Sequence, residues 1–214
     1  IDGGGGNVVV VPGEMPVVID SKLGSVTDNL ISELGKLSSK NTAYVINTHW
    51  HFDHVGSNVA LGKAGAQVVA HQNTLKRLST DQVVEFMNVK SAPLEEAGRP
   101  HITFTNDLSL SVGGETLKLQ YLPDAHTDTD VYVHFQNANV LHCGDLFFNG
   151  LYPFIDYSSK GWIGGMVSAA SKLLKVVDNN TKIVPGHGPV TNKAGLQAFH
   201  DMLEGIHQKV EPMV

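Results

Sequence analysis

A run of six residues contains four side chains suited to binding a metal ion. The run is His49-Trp50-His51-Phe52-Asp53-His54. Imidazole and carboxylate groups are typical ligands of Zn²⁺, and they also bind iron and manganese. The apolar, β-prone residues 43–47 come directly before the run, which predicts that the ligands leave the end of a buried strand and enter a loop.

The geometry of that loop decides which ligands can meet. On an extended strand end, His49, His51 and Asp53 would point to one side and His54 to the other, so a turn is needed to bring all four together. The next helix is predicted to begin near Ser57, a suitable N-cap residue.

Three later candidate ligands also follow predicted strands. His126 follows residues 117–122, Asp145 follows residues 139–142, and His187 follows residues 182–184. Glycine precedes Asp145 and flanks His187 on both sides, which permits tight turns and close backbone approach.

Taken in order, His-x-His-x-Asp-His, an isolated His, Gly-Asp and Pro-Gly-His-Gly resemble the motifs of the metallo-β-lactamase fold hydrolases, and the resemblance covers nearly the whole chain. It implies an α/β fold, the αββα sandwich, with two mixed sheets, helices on both outer faces and a metal site at one edge. It also implies a division of the ligands: His49, His51 and His126 for metal 1, Asp53, His54 and His187 for metal 2, and Asp145 as the bridge.

Two Zn²⁺ ions are the implied cofactors, with iron and manganese as alternatives. Seven ligands exceed the needs of one tetrahedral Zn²⁺, so two ions fit better than one. Asp53 is the candidate for orienting the attacking water and moving a proton. Asp20, Asp128 and Asp130 are candidates, on position alone, for accepting hydrogen bonds from the ligand imidazoles.

Departures from the family pattern indicate which branch of the metallo-β-lactamase fold hydrolases the chain resembles. Asp145 stands where the cysteine-ligand β-lactamases have their cysteine, and Cys143 is predicted to be a small buried residue instead. His51, where the flavodiiron branch has Glu, disfavours that branch. About 27 residues follow His187, so we expect no helical glutathione-binding domain of the glyoxalase II type. A compact small-molecule hydrolase with a bridging Asp is predicted.

The segment after Asp145 is rich in aromatic residues. An aromatic wall beside a metal site suits a substrate with a partly apolar body. The predicted substrate contacts are Phe147, Phe148, Asn149 and Tyr152. Tyr152, or else Asn149, is the candidate donor to a developing oxyanion. The alternative for the two phenylalanines is a place in the core.

Composition bounds the remaining possibilities. The chain has 214 residues, 42% of them hydrophobic, and a formal charge of −6. One domain over residues 1–214 is expected, opening with a flexible glycine-rich segment, residues 1–6.

The composition also argues against two kinds of partner. The absence of a Lys/Arg cluster argues against binding of nucleic acid, and the absence of a long apolar run argues against a membrane span. Eleven His against one Cys favours a metal site over disulfides. Neither oligomeric state nor compartment follows: the chain opens without Met, so cytoplasm and periplasm both fit.

One segment and the histidines outside the motifs are harder to interpret. Residues 79–100 are broken by proline and glycine, and we expect a loop or a short helix over the site. Among the histidines outside the motifs, which we expect to be structural or exposed, His71 at a strand end is the one most suited to approach it.

The leading functional hypothesis is a dinuclear metal-dependent hydrolase that uses a metal-bound hydroxide to cleave an amide, lactam, ester or lactone, with β-lactam hydrolysis as one member of the class. The alternatives are a phosphodiesterase or nuclease on the same site, and a mononuclear iron protein similar to the sulfur dioxygenases.

Overall fold

Two five-stranded sheets pack face to face in a computed structural model that describes residues 4–213. Helices cover both outer faces, which confirms the predicted αββα sandwich. Residues 1–3 of the predicted flexible segment lie outside the described residues. In the described part of the chain no helix is both long and apolar enough to cross a membrane.

The first sheet has the strand order β1-β2-β3-β4-β7. These strands are β1 (Val9–Val11), β2 (Val17–Ile19), β3 (Tyr44–Ile46), β4 (Gln67–His71) and β7 (Ile102–Phe104). The first two strands are antiparallel, and the other neighbours are parallel. Between β4 and β7, residues 79–100 form a small antiparallel hairpin, β5 (Gln82–Val84) and β6 (Val89–Ser91), in place of the predicted loop or short helix.

The second sheet has the order β12-β11-β10-β9-β8. Its strands are β8 (Asp107–Val112), β9 (Glu115–Tyr121), β10 (Val131–Phe135), β11 (Val140–His142) and β12 (Lys182–Val184). Only the β11–β12 pair is parallel. Both sheets are therefore mixed, as predicted.

Within residues 4–213, six α-helices and several short 3-10 turns complete the fold. The helices are α1 (Thr27–Leu37), α2 (Phe52–Val55), α3 (Asn58–Lys63), α4 (Gln72–Leu78), α5 (Ile163–Val176) and α6 (Lys193–Val210). The 3-10 turns are Gly24–Val26, Glu85–Met87, Glu96–Gly98, Gly144–Leu146, Tyr157–Ser159 and Glu211–Met213.

Alternation along each strand creates the layers, because successive side chains point to opposite faces. On β2, Val17 and Ile19 face the second sheet, while Val18 packs with Leu30 and Leu34 of α1. On the other sheet Leu117 and Leu119 face inward. The outer surface of that sheet packs under α5 and α6. The apolar layers fix the register of the strands, and the register in turn positions the polar residues that follow each strand.

Candidate metal centre

The ligand run changes conformation halfway along its length. His49 lies in a bend after β3, and His51 is the extended N-cap of α2, with φ −62° and ψ 146°. Asp53 and His54 lie on the single turn of α2. α2 is thus an additional turn that begins inside the motif, while the helix predicted near Ser57 is α3, with Ser57 as its N-cap residue. This turn directs the second pair of ligands away from the first pair.

The candidate ligands converge in two groups. The first cluster is His49, His51, His126 and Asp145, and the second cluster is Asp53, His54 and His187. Within each cluster, one ligand atom from every residue lies within 4.8 Å of the others. The other six residues are grouped as in the division implied by the family resemblance, and Asp145, the implied bridge, falls in the first cluster.

Asp145 touches both clusters. Its Oδ2 lies 3.4 Å from His126 Nε2 and 3.4 Å from His187 Nε2, and its Oδ1 lies 3.1 Å from His54 Nε2. The 3-10 turn Gly144–Leu146 carries Asp145 out of the strand line, and Gly144 has a φ of +51°, a conformation that favours glycine. A side chain at Gly186 would overlap the Asp145 carboxylate, so the glycine of the Pro-Gly-His-Gly motif makes room for that carboxylate.

Hydrogen bonds fix the tautomers of the first cluster. Nε2 of His51 donates to Asp156 Oδ2 at 3.0 Å, and Nδ1 of His126 donates to the Phe154 carbonyl oxygen at 2.8 Å. The remaining nitrogens, His51 Nδ1 and His126 Nε2, are therefore unprotonated when both rings are neutral. They face each other at 2.9 Å, which is an arrangement of two lone pairs that a cation would satisfy.

The third histidine of this cluster is held through Thr48. The Thr48 hydroxyl donates to Asp20 Oδ2 at 2.8 Å and accepts from His49 Nδ1 at 3.1 Å. His49 Nε2 is buried and has no hydrogen-bond partner. An unpaired buried acceptor is costly, so this atom fits a ligand sphere.

The second cluster has its own acceptor. His54 Nδ1 donates to Asp20 Oδ2 at 2.8 Å, so Nε2 of that ring points into the site, 3.4 Å from His187 Nε2. Asp53 Oδ2 lies 3.2 Å from His187 Nε2. His142 also reaches Asp20, with its Nε2 at 3.3 Å. Asp20 thus holds one histidine of each cluster, His54 directly and His49 through Thr48.

The electrostatics of the two clusters differ. Burial lowers the pKa of His126 to about 4 and that of His49 well below its ordinary value. Burial acts in the same direction on His54 and His187, but nearby carboxylates outweigh it. The pKa of His54 is raised well above its usual value by Asp145, Asp20 and Asp53, and that of His187 is raised to about 9 by Asp145 and Asp53.

Of the three aspartates predicted to support the histidines, the structure places only Asp20 against an imidazole. Asp128 pairs with Arg77 through two hydrogen bonds, and Asp130 accepts from the backbone amides of His126 and Thr127. Asp156 and the Phe154 carbonyl take the role instead. Sequence reasoning missed both, and an Asp at the end of an aromatic segment carries no signal for a histidine partner.

A cavity of about 460 Å³ opens onto both clusters. Asp53, Asp145, His51 and His187 contribute its polar lining, and Leu23, Val84, Met87, Phe148, Leu151, Tyr152 and Phe154 are among its apolar lining. Val84 and Met87 come from the β5–β6 hairpin. We call this space the metal cavity.

The predicted substrate contacts separate in the structure. Phe148 stacks on His187, with ring centroids 5.3 Å apart, and lines the metal cavity. Tyr152 is 80% exposed at its rim. Phe147 is fully buried against Phe199 of α6 and lies outside the lining of the metal cavity, which favours the alternative place in the core. Asn149 lies outside this lining, and its side-chain amide donates to the Pro189 carbonyl.

Other predicted roles are resolved by burial. Cys143 is fully buried in the core under α5, as predicted. His71 stacks on Tyr121 at 3.7 Å and bonds the Thr105 carbonyl, and it belongs to neither cluster. Gly4 to Gly6 of the glycine run pack against the site: the Gly6 amide donates to the Asp53 carbonyl at 3.1 Å, and Gly5 lines the metal cavity.

Comparisons with known proteins agree with this geometry. The profile of the metallo-beta-lactamase superfamily matches residues 1–191. The chain belongs to the metallo-beta-lactamase superfamily. It is 24% identical to a metallo-beta-lactamase type 2 of Bacteroides fragilis over 206 residues, which is 95% of this chain and 76% of that protein. It is 27% identical to the beta-lactamase-like protein 2 homolog of Caenorhabditis elegans over 85% of this chain, which spans 55% of that protein.

A solved structure confirms the superfamily fold. The metallo-beta-lactamase from Pontibacter korlensis superposes with a TM-score of 0.74 at 22% sequence identity, over 93% of this chain and 87% of that one. The coarse prediction, a hydrolase of the metallo-beta-lactamase superfamily with a candidate metal site, is confirmed.

Proposed function

We propose that this protein is a dinuclear zinc hydrolase that cleaves an amide, lactam, ester or lactone bond of a small molecule. The observation that carries the proposal is the pair of adjoining clusters with Asp145 between them. His49, His51 and His126 would hold one ion, Asp53, His54 and His187 the other, and Asp145 would bridge them. A single ion would leave one complete cluster of candidate ligands unused, so a mononuclear iron protein is less well supported.

Two zinc ions bound here would lower the pKa of a water between them and polarise the carbonyl oxygen of a substrate. The chain's own residues would place the reactants. Asp53 lines the metal cavity, and although burial raises its pKa, the His54 ring and the His187 hydrogen bond lower it below the usual value. Asp53 is therefore a carboxylate at neutral pH, able to accept a hydrogen bond from the attacking water.

Proton transfer completes the reaction. The water oxygen would bond to the carbonyl carbon, the acyl–oxygen or acyl–nitrogen bond would break, and Asp53 would pass the water's proton to the leaving group. Phe148 and Phe154 would pack against the apolar body of the substrate. Tyr152, at the exposed rim, is the proposed donor to the carbonyl oxygen in the transition state.

The test is metal-dependent turnover. Protein stripped with a chelator and protein reloaded with zinc would be assayed on a chromogenic lactam, an aryl ester and bis(4-nitrophenyl) phosphate. The proposal predicts that chelation abolishes cleavage of at least one acyl substrate and that zinc restores it. Full activity in the stripped protein would overturn the proposal. Cleavage of the phosphodiester alone would overturn it in favour of a phosphodiesterase.

A further inference from the structure

A second apolar space lies directly beside the metal cavity. It is a groove of about 460 Å³ between the loop after Asp145 and helix α6, and Ala198, Phe199 and Met202 line its helical side. We call it the outer groove.

The two spaces share one wall. Phe148, Leu151 and Tyr152 line both the metal cavity and the outer groove. Leu151 is 55% exposed and Tyr152 is 80% exposed, so the shared boundary of the two spaces, the Leu151–Tyr152 rim, lies at the surface of the protein. A chain of carbon atoms that starts at the metal clusters can therefore continue over this rim on an apolar surface.

Charge is distributed unevenly between the two spaces. The described lining of the outer groove contains no ionisable side chain, apart from the exposed Tyr152 phenol. The described lining of the metal cavity contains no lysine or arginine, and its carboxylates, Asp53 and Asp145, are candidate metal ligands. A carboxylate on the part of a substrate that lies in the outer groove would lose hydration there without meeting a cation.

We infer that the substrate is an uncharged ester or lactone with an extended apolar acyl chain, whose tail crosses the Leu151–Tyr152 rim into the outer groove. This inference rests on the proposed hydrolase function and specifies its substrate class. It also predicts that a tail ending in a carboxylate is disfavoured, because the described lining of the outer groove contains no lysine or arginine.

The first experiment is a chain-length series on the zinc-loaded protein. The substrates are 4-nitrophenyl acetate, butanoate, octanoate and decanoate, each below its critical micelle concentration. A methylene moved from water into an apolar site strengthens binding by about fourfold. We expect kcat/KM to rise at least about tenfold from butanoate to octanoate, mainly through KM. A flat profile would overturn the inference.

A variant pair then localises the tail. Ala198→Trp fills the outer groove, whereas Gln197→Trp adds the same bulk at an exposed neighbouring position outside both linings. Ala198→Trp should lower kcat/KM for octanoate much more than for acetate and so remove the preference for octanoate, while Gln197→Trp should behave like the wild type. Equal effects of the two variants on octanoate would contradict a tail in this groove.

A charge comparison and a binding measurement complete the design. The 4-nitrophenyl monoester of octanedioic acid, which ends in a carboxylate, should be cleaved at least about tenfold less efficiently than the octanoate, and equal rates would contradict the inference. Calorimetric binding of 2-alkanones of increasing length needs no turnover. If it strengthens with length in the wild type and not in Ala198→Trp while no ester is cleaved, the groove assignment holds and the hydrolase proposal fails.

Discussion

Asp20 accepts a hydrogen bond from His54 Nδ1 at 2.8 Å and so turns the opposite nitrogen of that ring towards Asp145. Asp20 is fully buried, and its backbone is left-handed, with a φ of +62°. Burial raises its pKa, but the two histidines around it, His54 and His142, bring the value down to about 2. The carboxylate is therefore ionised at all ordinary pH values, and it is a permanent acceptor behind the second cluster.

Asp20→Asn should weaken the second ion more than the first, because Asp20 holds His54 directly and His49 only through Thr48. Asparagine keeps the shape and tolerates a positive φ, but it removes the charge that faces His54. Loss of such a partner typically costs about 10- to 100-fold in metal affinity. Zinc titration against a competing chelator should show one tight ion retained and one weakened. Asp128→Asn is the matched control, because Asp128 pairs with Arg77 and contacts no candidate ligand. Equal weakening in both variants would refute a positioning role for Asp20.

Metal loading should release protons mainly from the second cluster. In the metal-free protein at pH 7, His187 carries a proton because its pKa is raised to about 9, whereas His126 is neutral because its pKa is lowered to about 4. Binding requires the unprotonated ring. Calorimetry in buffers of different ionisation enthalpy should show that His187→Ala lowers the total proton release by at least one, and that His126→Ala lowers it less. The same decrease in both variants would be inconsistent with this charge distribution.

Protonation of His187 stabilises the metal-free fold over a defined pH range. The folded protein binds this proton more tightly than the unfolded protein does, because the pKa is raised to about 9. The contribution of His187 to the free energy of unfolding is therefore fully present below about pH 6.5 and is lost as the pH rises through about 9. Urea denaturation of the chelator-treated protein should therefore show that the stability difference between wild type and His187→Ala shrinks between pH 6.5 and 9. A difference that grows over that range would contradict the assignment.

Gly6→Ala should disturb the second cluster from outside. A Cβ at Gly6 would overlap the His54 imidazole, so the ring or the glycine segment must shift. We expect weaker binding of the second ion with the first unaffected, measured by the same zinc titration. Gly35→Ala on α1 is the control, because a Cβ there meets nothing within 4 Å; it should stabilise the helix by up to about 1 kcal/mol and leave metal binding unchanged. Unaltered zinc binding in Gly6→Ala would show that the segment does not constrain His54.

Strand-end placement is what made the clusters predictable. His126, Asp145 and His187 each follow a short apolar run that packs as a strand, and parallel pairing of β11 with β12 brings the last two to the same edge. The fold class followed from the same alternation of strands and helices, together with the motif resemblance. These features depend on residues close together in the sequence, where the patterns are strong.

The parts that failed depend on packing between distant segments. His51 and Asp156 are separated by 105 residues, and only the docking of the second sheet on the first brings them together. Asp20, Asp128 and Asp130 looked equivalent as sequence, but only Asp20 lies at the end of a strand beside β3. The β5–β6 hairpin has strands of three residues, which is too short for a period of two to show.

Zinc content per chain in wild type and His54→Ala tests the central claim most directly. His54 belongs to the second cluster, and removing it should leave the first cluster intact. After dialysis against limiting free zinc, elemental analysis should find two ions per chain in the wild type and one in His54→Ala. One ion in the wild type, or loss of both ions in a variant that is still folded by circular dichroism, would contradict a site divided between two metals.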